Sequence, residues 1–226
     1  LKRHINIAIN KEYIEIQKYA FRKYKIKTVE NKHTHLVPEE LEQLERLSLT
    51  DKHMKLQKSL DAFLFCCYAG MRYSDFTNLS KKNIVDINQE TWLIYKSVKT
   101  GTEVRLPLYL LFAGKGIVIL NKYRNNLEDF FRLRDNSNIN KDLIIIAKLA
   151  GLSKKISFHT ARHTNATLLI YNGVNITTVQ KLLGHKSVKT TQVYTNIMDM
   201  TIVHDLEKIK QAALGIKKKT DNSFNK

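Results

Sequence analysis

Leu182-Leu183-Gly184-His185-Lys186-Ser187-Val188-Lys189-Thr190-Thr191-Gln192-Val193-Tyr194 is the stretch on which the reading of this chain turns. A helical pattern over 175–183 runs into Gly184, and glycine ends helices readily because it has no Cβ to oppose a left-handed turn. His185 follows at once, and a second helical stretch over 187–196 carries Tyr194. An imidazole and a phenol are thus set at a fixed separation around a helix break. Taken alone, each has an ordinary reading: His185 as a cap after Gly184, Tyr194 as a core aromatic among ten tyrosines.

Working outward, the pattern stays helical over 109–125, 139–150 and 159–172, the last containing His159-Thr160-Ala161-Arg162-His163. Nearer the N-terminus, Leu56, Leu60, Phe63, Leu64 and Cys67 recur at helical spacing until Gly70 stops the helix. Arg72 sits just past that end, where a cation could also cap the helix through its last carbonyls. Residues 83–108 differ in character. Ile84–Ile87, Thr91–Val98 and Glu103–Leu106 are β-prone runs separated by Asn88-Gln89 and by Lys99-Thr100-Gly101-Thr102. The fold class is therefore mainly α with a small antiparallel β-sheet (α+β), with Lys99 on a hairpin.

Val37-Pro38-Glu39-Glu40 combines a proline near a helix start with acids in the first turn, so a domain is expected to begin there. Residues 1–36 carry 9 basic and 3 acidic side chains, with a helical stretch over Leu1–Asn10 and a Lys/Arg-rich run over Phe21–Lys27. They read as the end of a preceding domain and a basic linker. Residues 37–213 form the main domain, and 214–226, with Lys217-Lys218-Lys219, a flexible basic tail. A helix over 199–213 carries Ile202, Val203, Leu206 and Ile209, a stripe that must bury either on its own domain or on a neighbouring protomer. The chain begins at Leu1 rather than Met, as a piece of something longer would.

Lys and Arg number 38 against 21 Asp and Glu, a formal charge of +17 that makes a polyanion the first partner to consider. Cys66 and Cys67 are adjacent and cannot easily bridge each other; they read as buried thiols suited to a reducing cytoplasm. The sequence shows neither a signal peptide nor a run of about 18 apolar residues, so neither export nor a membrane span is expected.

In order along the chain, Gly70-Met71-Arg72-Tyr73-Ser74-Asp75, Lys99, His159-Thr160-Ala161-Arg162-His163 and Leu183–Tyr194 resemble the catalytic boxes of the tyrosine recombinases, the phage integrase family. The likeness covers about residues 36–200, and it implies that the preceding domain ending in residues 1–36 is DNA-binding. It departs at Asp75, where many members carry Glu; the shorter carboxylate puts a contact to Arg72 in question. The Lys- and Asn-rich style and the Lys99-Thr100-Gly101 hairpin also resemble integrases of mobile elements.

Attack on a phosphodiester builds negative charge on the nonbridging oxygens, which fixed donors stabilise most at the transition state. Arg72, Arg162 and His185 are the candidates for that clamp, arginine offering a planar fork that grips two oxygens. Tyr194 is the candidate nucleophile. A phenol of pKa about 10 needs cations or a base, and His159 is the candidate base. Lys99 is the candidate general acid for the leaving 5′-oxygen, with Lys96 its nearest competitor. Asp75 and His163 fall behind these, His163 packing or hydrogen-bonding inside the domain. Lys81, Lys82, Lys154, Lys155, Lys181, Lys186 and Lys189 flank the boxes and could hold DNA phosphates, or simply form a solvated face.

The resemblance implies a 3′-phosphotyrosine intermediate and a free 5′-hydroxyl, with no cofactor and no ATP. His159 and His163 have the spacing of a zinc pair, but no Glu follows His159 and Arg162 adds positive charge, so no metal is assigned. The expected partner is double-stranded DNA with a specific recombination site, bound by a tetramer on two sites that is monomeric when free, in the bacterial cytoplasm at the nucleoid. A type IB topoisomerase and a non-catalytic DNA-binding protein are the competing readings.

Overall fold

The computed structural model describes residues 1–19, 21, 34–194 and 210, and the chain divides into two compact units, Leu1–Lys32 and His33–Lys226. The first holds helix α1 (Lys2–Asn10), with no buried residue, and a single 3-10 turn at Ile16–Lys18. Most of the basic run Phe21–Lys27, the helix expected over 199–213 except Lys210, and the tail 214–226 lie outside the described residues.

The second unit is built around one helix. It opens with α2 (Pro38–Glu45), where the Glu40 carboxylate accepts the Val37 N–H at 2.9 Å and so caps the expected Pro-Glu-Glu start. A 3-10 stretch at Asp51–Leu56 leads into α3 (Gln57–Ala69). The spacing of Leu56, Leu60, Phe63, Leu64 and Cys67 predicts one apolar face, yet every residue from Ser59 to Ala69 is buried. Ala62, Phe65, Cys66 and Ala69 are apolar between those positions, and the polar Ser59 and Asp61 are bonded to Asp142 and to Lys122 and Tyr123, so α3 becomes the central helix rather than a surface one. Cys66 and Cys67 are buried free thiols.

Gly70 ends α3 with φ of +66°, and a Cβ there would come within 2.6 Å of Asn165 Oδ1 and 2.8 Å of Leu183 Cδ2. The short helix α4 (Tyr73–Phe76) follows, then the antiparallel meander β1 (Ile84–Ile87), β2 (Glu90–Lys96) and β3 (Glu103–Pro107). Asn88 and Gln89, with φ of +53° and +66°, make the two-residue turn between β1 and β2. Residues 97–102 form the β2–β3 turn beyond the Lys96–Glu103 pair.

The helix expected over 109–125 is shorter than its pattern. Phe112, Ala113 and Gly114 all take left-handed backbone, turning the chain before α5 (Lys115–Lys122) begins. A five-residue helix, α6 (Leu127–Phe131), is too short to show a period, but it supplies Phe130 and Phe131 to an aromatic cluster. Phe76 meets Phe130 and Phe131 edge-on at 5.3 and 5.5 Å, and Tyr123 stacks on Phe130 at 4.1 Å. Burying each such phenylalanine contributes about 2–3 kcal/mol. The remaining helices are α7 (Asn136–Leu149), α8 (Phe158–Tyr171), α9 (Ile176–Leu183) and α10 (Lys189–Gln192). Packed along α3, α8 is buried from Thr160 to Leu169, and its Asn165 side chain donates to the Cys67 and Tyr68 carbonyls at 2.9 and 3.0 Å. The mainly α fold with a small antiparallel sheet is as the sequence predicts.

Candidate active site

The site forms where the N-terminal half of α8 meets the C-terminal ends of α3 and α9. Arg162 points inward from α8 and is 1% exposed. Its Nη1 donates to the Gly70 carbonyl at 2.7 Å and its Nη2 to the Leu183 carbonyl at 2.6 Å. Those carbonyls end two helices, where partial negative charge collects and a cation is favoured. Burial, then the like charge of Arg72, pulls the guanidinium pKa down to about 10. It remains charged at neutral pH and keeps three of its five N–H donors for other acceptors.

Arg72 stands two residues beyond Gly70, at the N-cap of α4. Its Nη1 reaches Ser97 Oγ at 3.2 Å and Asp75 Oδ2 at 3.4 Å. The shorter carboxylate of Asp75 therefore does contact Arg72. Asp75 is itself buried and accepts the Val98 N–H at 2.8 Å and the Ser97 hydroxyl at 3.3 Å. One carboxylate thus joins the arginine to the root of the hairpin turn.

His185 follows Gly184, the left-handed cap of α9, as the quoted segment predicts. Its Nδ1 lies 2.9 Å from the hydroxyl of the fully buried Thr191 on α10. With that hydroxyl donating, the ring proton resides on Nε2, where it can be offered to an oxyanion. Burial first, then Arg162, Arg72, His159 and Lys99, push the His185 pKa down to about 3. His185 is therefore a neutral donor at pH 7, and the arginines carry the fixed charge. Lys99 is exposed on the turn and is among the cations that lower the His185 pKa; Lys96 is exposed at the end of β2.

Tyr194 is 5% exposed, and its hydroxyl lies 3.0 Å from His163 Nδ1. Burial raises the phenol pKa, while Arg162 and Arg72 oppose the rise. The imidazole in hydrogen-bonding contact with this hydroxyl is that of His163, and the exposed ring of His159, the candidate base, abuts His163 edge-on at 4.5 Å. The four-residue spacing that resembles a zinc pair produces this edge-on pair, and among the described residues no group of three His, Cys, Asp or Glu side chains could hold a metal. His159 also lines a cleft of about 310 Å³ with Arg72, Tyr73, Ser74 and Asn136.

Lys81, Lys82, Lys155, Lys181, Lys186 and Lys189 are exposed. Lys154 is half-buried: its Nζ donates to Glu40 at 2.6 Å and to the His35 carbonyl at 3.2 Å, bracing α2. Sequence reasoning missed Ser97 and Thr191. Thr191 carried a signal, a polar residue inside the box six positions after His185. Ser97 carried none, because its role depends on where the end of β2 falls against Asp75.

The sequence model of the phage integrase family matches residues 34–200, and the chain belongs to that family. It is 50% identical over 171 residues to the tyrosine recombinase XerD of Bifidobacterium longum, covering 68% of this chain and 54% of that one. To a tyrosine recombinase of Pseudothermotoga lettingae it is 30% identical over 181 residues, covering 78% and 60%. The chain thus spans little more than half the length of these curated relatives. Its fold is similar to that of lambda integrase in a tetramer bound to a Holliday junction, with a TM-score of 0.65 at 19% identity over 85% of this chain and 56% of that one. Among the described residues, no helix is long and apolar enough to cross a membrane.

Proposed function

We propose that residues 37–213 are the catalytic domain of a site-specific DNA recombinase that cuts and rejoins strands through Tyr194, integrating or excising a DNA element. The observation that carries this is the placement of the Tyr194 hydroxyl, hydrogen-bonded to His163 within the field of Arg72 and Arg162. A scissile phosphate bound there would have its nonbridging oxygens held by both guanidiniums and by His185 Nε2–H. Donors fixed in a site of low dielectric stabilise the developing charge more than water does.

Tyr194 Oη attacks phosphorus, and its proton passes to His163 Nδ1, the acceptor in contact. His159 links the pair to solvent. As the P–O5′ bond breaks, the Lys99 ammonium donates a proton to the leaving oxygen, giving a 3′-phosphotyrosine and a 5′-hydroxyl. Attack by the 5′-hydroxyl of another strand reverses these steps. The bond energy is conserved in the phosphotyrosine, so no ATP, cofactor or metal enters. The partner is double-stranded DNA with a recombination site, bound beside the exposed lysines of α9 and α10 at the bacterial nucleoid. Assembly of four protomers on two sites is supported by the likeness to the lambda integrase tetramer. The relatives' names, all tyrosine recombinases, favour strand exchange over topoisomerase-like relaxation.

The test is covalent trapping on a pool of nicked duplexes from which the 5′-hydroxyl fragment can diffuse away. Wild type is expected to form a protease-sensitive adduct whose DNA reports the site. Tyr194→Phe is expected to form none while binding DNA within about two-fold of wild type, because phosphate contacts dominate the affinity. Adduct formation by the variant would remove Tyr194 as nucleophile.

A further inference from the structure

We propose that Thr100 is a positioning residue for the reaction, latching the Lys99 turn to the α9 cap that carries His185; this rests on the recombinase reading above. The turn is closed at its root by the Ser97 N–H on the Thr102 carbonyl at 2.9 Å and the Gly101 N–H on the Ser97 carbonyl at 2.8 Å. Gly101 takes the left-handed backbone, φ +68°, that this closure needs. Residues 98–100 are left as the tip, with Lys99 at its apex.

Two side-chain contacts then hold the tip from opposite sides. On the entering leg, the Val98 N–H donates to Asp75 Oδ1 at 2.8 Å, tying it to the carboxylate that meets Arg72. On the returning leg, the Thr100 hydroxyl donates to the Gly184 carbonyl at 3.2 Å. Gly184 is the residue before His185, and β3 packs directly on its backbone: a Cβ there would come within 2.6 Å of Val104 Cγ2. The path from Lys99 to His185 is therefore one hydrogen bond and two neighbouring residues long.

That path has a chemical consequence. Lys99 must deliver a proton to the bridging oxygen of the same phosphate whose nonbridging oxygen His185 grips. A lysine on an unlatched tip would spread its ammonium over many positions, and small misplacements of reacting groups cost rate steeply. The latch acts only on the proton given to O5′. It does not touch the attack by Tyr194 Oη, in which the phenol proton goes to His163 and the P–O5′ electron pair departs with the oxygen.

The separation of these events supplies the test. Cleavage is timed on the site recovered by trapping, as the ordinary duplex and with sulfur replacing the bridging 5′-oxygen, a leaving group that needs no proton. Thr100→Val is expected to slow cleavage of the oxygen substrate about ten-fold, the worth of a hydrogen bond of about 1.4 kcal/mol. It should cleave the sulfur substrate within about two-fold of wild type, with Tm lowered by about 3–6 °C as that hydrogen bond is lost, and Thr100→Ser should restore the oxygen rate. Lys99→Ala, run beside it, should show the same pattern with a larger defect. Equal slowing on both substrates, or none on either, would overturn the latch. If Lys99→Ala is not rescued by sulfur, the proposal falls while the phosphotyrosine reading stands. Should wild type form no adduct on any substrate, the recombinase reading itself fails.

Discussion

Arg162 and Lys99 bring the same charge to the same site from regions built in opposite ways. Around Arg162, helices α3, α8 and α9 converge with almost no solvent, and the guanidinium is held by two carbonyls. Around Lys99, a turn of a three-stranded sheet stands in water, restrained only at its root and by the Asp75 and Thr100 contacts. The difference fits the two tasks proposed for them. Stabilising an oxyanion asks for a charge that does not move, and a buried fork with satisfied hydrogen bonds provides it. Giving up a proton asks for a group that solvent can reprotonate, which an exposed ammonium on a short tether allows.

Removing the fork should break the comparison most severely. Arg162→Lys keeps the charge but cannot reach both carbonyls, so cleavage is expected to fall roughly 10²–10³-fold. Stability should fall by about 3 kcal/mol as buried carbonyls lose a charged donor. Adduct kinetics and a thermal melt on one preparation would read both, and a rate loss without a change in Tm would mean that the carbonyl bonds do not hold the helices.

A smaller effect tests the scaffold without touching charge. Asn165→Ala strips the Cys67 and Tyr68 carbonyls of their donor and should cost about 2 kcal/mol, roughly 4–8 °C in Tm for a domain of this size. Cleavage measured well below that Tm should change little. An unchanged Tm would show that water or the backbone replaces the amide.

The last test concerns pH. His185 is depressed from 6.5 to about 3 in the folded site. The unfolded chain therefore binds a proton near pH 6.5 that the folded chain refuses until about pH 3. This contribution to stability is whole above pH 6.5 and is lost progressively as pH falls toward 3. His185→Gln removes the titration, so its Tm should decline less between pH 6.5 and 4 than that of wild type. Parallel curves would mean that His185 takes its proton in the folded site as readily as in the unfolded chain.

The boxes were legible because their residues answer to local rules. Gly70 and Gly184 end helices through left-handed backbone that other residues resist, and β-prone runs around Lys99-Thr100-Gly101 mark the hairpin at the right place. Less legible was anything resting on contacts across the chain. The burial of α3 on all sides, the aromatic cluster that makes α6 a helix, and the commitment of Lys154 to Glu40 depend on partners dozens of residues away.

The order and spacing of Arg72, Lys99, Arg162, His185 and Tyr194 were determined by the sequence alone, and with them the family and the mainly helical class. Tertiary structure decided what state each group is in and which neighbour it answers to. It made His185 neutral, put His163 against the Tyr194 hydroxyl, and joined the Lys99 turn to Gly184 through Thr100. The physical reason is that residue identity and spacing are local properties, whereas pKa, rotamer and hydrogen-bond partner are set by burial and by charges that only the folded chain brings together.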